Sequence, residues 1–126
     1  MTLDANQKTF LEKTTGRIRT YLEDEAGDPI PSADLVTLTL SVWEKKSGTT
    51  VNSRSAQSVL NTNNVTVHAT SGLVTWSVQT GDTTLVDTTI PENGIQEFCF
   101  LYSWTTSSET GRHLDSYFVQ QLLKVS

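Results

Sequence analysis

The chain predicts an all-β fold, an antiparallel sandwich of about seven to eight strands, and three observations predict it. Apolar and polar residues alternate with a period of two through several short segments, the signature of half-buried strands. Clusters of Gly, Pro, Asn and Asp punctuate these segments and mark turns. Serine and threonine supply 34 of the 126 residues, and threonine favours strands while serine suits the turns between them. A chain of this length buries a two-layer core without metals or disulfides. The expected organisation is an N-terminal arm, residues 1–15, followed by one sandwich domain, residues 16–126.

The elements follow in order. Residues 1–15 are polar, with Leu3, Phe10 and Leu11 as their large apolar side chains. Asp4 with Gln7, or Thr9 with Glu12, has capping-box spacing for one helical turn, too short to persist alone. The arm, extended or helical, is either a frayed end or a tether inserting Phe10 and Leu11 into a neighbouring subunit. A first strand starts at Arg17, with Ile18, Thr20 and Leu22 on one face. Glu23 to Pro31 is a turn-rich connector around Gly27 and Pro29. Leu35 to Lys45 is the longest alternation: Val36, Leu38, Leu40 and Val42 point inward, Thr37, Thr39 and Ser41 outward. Lys46-Ser47-Gly48-Thr49 forms a hairpin turn, with Thr50 to Arg54 as the returning strand. Asn61 to Asn64 turns into a short strand over Val65 to Ala69. Glycines 72 and 81 bracket a strand with Val74, Trp76 and Val78 on one face. Gly81 to Gly94 carries the chain from one sheet to the other. In Ile95 to Trp104, residues Phe98, Phe100, Tyr102 and Trp104 share a face. Thr105 to Gly111 is a polar hairpin loop, and Arg112 to Val125 closes the fold.

Charge and residue usage narrow the function classes. The net charge is −5 and the nine Lys and Arg are scattered, which disfavours a polyanion ligand, so no nucleic-acid partner is expected. The single cysteine, Cys99, lies between apolar neighbours and reads as a small buried hydrophobe. Met1 to Phe10 lacks the apolar run of a signal peptide, and nothing reaches membrane-span length. The expectation is a protein without a membrane partner that assembles in a reducing cytoplasm. His68 and His113, the two histidines, have no His or Cys at metal-binding spacing. The acidic run Glu23, Asp24, Glu25, Asp28 lacks the order of a calcium loop, and Asp82, Asp87 and Glu92 do no better. No nucleophile elbow or phosphate-cradling glycine loop occurs. The chain is read as a non-enzyme without cofactor or metal.

Three tryptophans remain. Trp76 and Trp104 lie on the apolar faces of their strands and belong to the core. Trp43 falls on the outward phase with Thr37, Thr39 and Ser41, so it is either a contact residue or covered by a loop. With Asn61, Asn63 and Asn64 it also suggests an alternative function, a glycan-binding module for attachment to host or surface polysaccharide.

The order of these pieces resembles the immunoglobulin-like domain of tailed-bacteriophage structural proteins, similar to the N-terminal domain of baseplate upper proteins. The resemblance is carried by Tyr21-Leu22-Glu23-Asp24-Glu25-Ala26-Gly27-Asp28-Pro29-Ile30 and by Val36 to Val42 followed by Gly48. Gly72 to Val78 with Gly81-Asp82-Thr83, then Phe98 to Trp104 and the strand after Gly111, complete it. The approach Gly94-Ile95-Gln96-Glu97-Phe98 is offset from the usual pattern, and the cysteine pair of antibody domains is absent. The resemblance implies an Ig-like sandwich in the virion, assembled in the host cytoplasm. It implies multiple copies or a homo-oligomer, with capsid, portal, neck, tail or baseplate proteins as partners. Phe10, Leu11 and Trp43 are the protein-contact candidates.

Overall fold

The structure, a computed structural model, describes residues 8–87 and 94–121. Eight strands occur among the described residues: β1 (Thr9–Leu11), β2 (Gly16–Tyr21), β3 (Leu35–Glu44), β4 (Gln57–Ser58), β5 (Val65–Val67), β6 (Leu73–Val78), β7 (Ile95–Thr106) and β8 (Thr110–Gln120). They form a five-stranded sheet, order β1-β8-β7-β3-β4, facing a three-stranded sheet, order β2-β6-β5. With β2, β3, β4, β5, β6, β7 and β8 read as strands B, C, C′, D, E, F and G, these orders are those of an immunoglobulin-type sandwich. The connection after β6 changes sheet, as its turn signals suggested, although residues 88–93 lie outside the described part. So do residues 1–7, with Leu3, Asp4 and Gln7, and residues 122–126, into which the expected closing strand ran.

Alternation builds the core. Val74, Trp76 and Val78 of β6 are fully buried, and Phe98, Phe100 and Tyr102 face them from β7. Tyr117 of β8 is the hub: its ring makes edge contacts with Phe10 at 5.6 Å, Trp76 at 5.6 Å and Phe98 at 5.4 Å. Each such pair adds about 0.5–1.5 kcal/mol beyond burial. The Tyr117 hydroxyl donates to the Asp82 carbonyl at 2.7 Å, tying β8 to the 3₁₀ turn Thr80–Thr83 that ends the opposite sheet.

A buried ion pair closes one end of the sandwich. Arg54 Nε and Nη2 donate to Asp82 Oδ1 and Oδ2 at 2.6 and 3.2 Å, with side chains 2% and 0% exposed. Asn52 Nδ2 and the Gln79 N–H also donate to this carboxylate, at 3.0 and 2.8 Å. The guanidinium lies 5.4 Å from the Trp76 ring centre and binds Gln57 Oε1, the Asn63 carbonyl and Asn64 Oδ1. Every lone pair of Asp82 that matters is therefore met, the condition for tolerating a charge in the core.

Four expectations need correction. Phe10 is not a tether: β1 pairs in parallel with β8, Phe10 opposite Val119, and Phe10 is 0% exposed in the chain's own core. From residue 8 on the arm is thus part of the sandwich, neither helical nor frayed, and its parallel pairing makes the five-stranded sheet mixed. The single apolar side chain Phe10 outweighs the polar composition around it because it completes the Tyr117 cluster. Val36 points outward at 62% exposure, because a bulge between Leu35 and Thr37 shifts the register and turns Leu35 inward. Thr50 to Arg54 is no strand. A Trp43–Thr50 bridge forms and the Val42 N–H donates to the Arg54 carbonyl, but Asn52 and Ser53 take positive φ and break the ladder until β4. Cys99 is half-buried on the outer sheet face rather than in the core.

Two glycines are fixed by geometry. Gly72 has φ +72°, and a Cβ there would lie 2.7 Å from the Leu22 carbonyl oxygen. Gly111 stands opposite Trp104 across β7 and β8, and a Cβ would run into the indole.

Candidate contact surface

With the inward phase occupied by the core, the opposite phase of β3, β7 and β8 forms the outer face of the five-stranded sheet. Strand registers set its rows. Ser41, Leu101 and Leu114 lie side by side, and Trp43, Cys99 and Ser116 form the next row. Glu97 and Phe118 follow, with Thr9 of β1 beside Phe118, and then Ile95 and Gln120 with Leu11. This outward phase is unusually apolar for a sheet face meeting water. Leu114 is 62%, Ile95 56% and Leu11 46% exposed, while Trp43, Leu101 and Phe118 are half-buried. Contiguous exposed apolar area of this kind marks interaction surface.

On this face Lys45 Nζ lies 3.4 Å from Glu97 Oε1, while on the opposite phase of β8, beside Phe100, Asp115 Oδ2 bonds Lys8 Nζ at 2.8 Å. Partial burial works against the Asp115 carboxylate, but the hydrogen bonds from Lys8 and the Ser116 N–H, with the charges of Lys8 and His113, hold it below its ordinary pKa. Burial and the Glu97 carboxylate push the Cys99 thiol up, so it stays protonated at neutral pH and behaves as an apolar surface element.

Of the three contact candidates, Leu11 and Trp43 lie on this outer face and Phe10 does not. Leu101, Leu114, Phe118 and Ile95 were missed. Their signal was present in the sequence as apolar residues in the second phase of two long strands. It became readable only once the first phase was known to face the core.

The amides named for glycan binding are engaged internally. Asn61 Oδ1 accepts from the Val67 N–H, Asn63 Nδ2 donates to the Ser58 carbonyl, and Asn64 Oδ1 accepts from Arg54. Asp24 caps its own turn by accepting from the Ala26 and Asp28 N–H groups, and His68 Nδ1 accepts from the Thr70 and Ser71 N–H groups. No group of three His, Cys, Asp or Glu side chains is placed to hold a metal among the described residues. The concavities are shallow: one of about 420 Å³ lies between Pro29–Val36 and the Thr106–Glu109 turn. Another of about 530 Å³ is lined by Glu44, Lys45, Lys46, Asp87 and Ile95–Glu97.

Comparison with family models, curated proteins and solved structures finds no match to this chain. The immunoglobulin-type assignment rests on strand order and burial alone.

Proposed function

We propose that the protein is a non-enzymatic structural component of a bacteriophage virion, present in multiple copies and acting through protein–protein contacts. Its place would be the neck, tail or baseplate, or the capsid exterior as a decoration, after assembly in the host cytoplasm. The observation that carries the contact reading is the apolar outer face of the five-stranded sheet. A face like this costs solubility unless another surface covers it. The phage attribution is supported by the resemblance of the strand-and-turn order, from Tyr21-Leu22-Glu23-Asp24 to the strand after Gly111.

Mechanistically, the sandwich is a rigid block that presents one flat face. Trp43 and Phe118 supply large contact area with few rotatable bonds, and Leu101 and Leu114 supply the centre. Binding at such a face needs no moving part, which suits a component that is fixed once and kept. Mass spectrometry of purified particles from the phage encoding this gene tests the reading. The protein should be found at many copies per particle. Particles free of it, from cells that express it, overturn the proposal.

A further inference from the structure

We infer that the partner on the outer face of the five-stranded sheet is a second copy of this chain, packed face to face about a two-fold axis. The axis lies in the interface, perpendicular to the strands, between the Leu101 and Cys99 rows. The inference rests on the reading of this face as the contact surface and adds the identity of what covers it.

Size complementarity is the first argument. Outward rows are about 6.8 Å apart along the strands, and an axis between the two central rows sets each against the other. Leu114 then faces the second copy's Ser116, Leu101 faces its Cys99, and Ser41 faces its Trp43. Every pair sets a large side chain against a small one, so the two faces interdigitate as packed sheets do. An isologous contact requires this self-complementarity.

Charge is the second argument, and it selects the axis. Arg112, exposed on β8, lies one row beyond Leu114, and Glu97 lies one row beyond Cys99. The same two-fold places Arg112 over the second copy's Phe118, one strand from its Glu97. A guanidinium over an aromatic face beside a carboxylate is favourable on both counts. The two Arg112 side chains are then three rows, about 20 Å, apart, beyond the screening length of about 8–10 Å. An axis along the strands would instead put both Arg112 in one row.

Area is the third. The face holds eighteen outward positions on β1, β3, β7 and β8 at about 33 Å² each, about 590 Å² per copy, at the lower end of the roughly 600–1,000 Å² per partner of specific interfaces.

The test is sedimentation equilibrium of the purified full-length chain, with its Leu114→Glu, Arg112→Glu and Glu97→Arg variants and the last two combined. The wild type should be a dimer, and Leu114→Glu should weaken it roughly a hundredfold with an unchanged far-UV circular dichroism spectrum, since in the single chain this side chain is 62% exposed and holds no part of the fold. Each charge reversal alone should weaken the dimer about tenfold, and the double reversal, which restores the ion pair but not the cation over Phe118, should bind more tightly than either single reversal. A monomer at the highest soluble concentration, a dimer indifferent to Leu114→Glu, or reversals that fail to compensate would each overturn the inference. A monomeric protein found in particles sinks the dimer and leaves the virion reading standing. A dimer absent from particles does the reverse.

Discussion

Replacing Arg54 with alanine should strip the fold of a large part of its stability. The guanidinium is the buried counter-charge of Asp82, whose side chain is 0% exposed. Its removal leaves a carboxylate in the core, ends the bonds to Gln57, Asn63 and Asn64, and uncovers the Trp76 ring. Breaking a buried pair from one side costs about 3–5 kcal/mol, against a total of about 5–15 kcal/mol for a domain of this kind. For a chain of this size that corresponds to a fall of roughly 10–20 °C in Tm. Urea unfolding followed by tryptophan fluorescence measures it directly, because Trp76 reports on the site. Arg54→Lys keeps the charge but not the two-nitrogen fork and should lie in between. Combining Arg54→Met with Asp82→Asn, which keeps an acceptor for the Gln79 N–H, should lose less than the two single changes added together. A loss below about 1 kcal/mol for Arg54→Ala would refute the reasoning, since it would mean that Asp82 finds water once the arginine is gone.

Three further outcomes are expected. Phe10→Ala removes a fully buried ring from the Tyr117 cluster and should cost about 3–5 kcal/mol; urea unfolding checks it, and a stability equal to wild type would restore the tether reading of the arm. Gly111→Ala forces Trp104 off its seat against β8 and should destabilise by about 1–3 kcal/mol, with a changed near-UV circular dichroism spectrum as the marker. Burial opposes ionisation of Glu44, but the Lys46 and Ser47 N–H groups donating at 2.9 Å, with the Lys46 charge, hold its pKa below the ordinary value. A depressed carboxylate stabilises the fold fully above its unfolded pKa, near 4.3, and that contribution is lost as pH falls through the lower folded value. Asp115 acts in the same direction, discounted for its exposure. Glu44→Gln should therefore flatten the fall of stability between about pH 5 and pH 3, read as Tm against pH.

Much of the sandwich was legible along the chain. The inward phases of β6 and β7 followed from Val74, Trp76 and Val78 and from the run Phe98, Phe100, Tyr102, Trp104, because a strand flanked by solvent on one side must alternate. Turn glycines and asparagines marked where strands stop. At Val36 the same rule failed, since one bulged residue reverses the phase without leaving a trace in hydropathy.

What the sequence determined by itself was local: the period-two burial rhythm, the positions of turns and the all-β class. These depend on side chains within a few residues of one another. Tertiary structure alone decided that Phe10 completes the core from a parallel edge strand and that Arg54 meets Asp82 across 28 positions. It also decided that Leu101, Leu114 and Phe118 share one outward face. Each of these depends on strands distant in the chain lying about 5 Å apart, and no window of neighbouring residues encodes that.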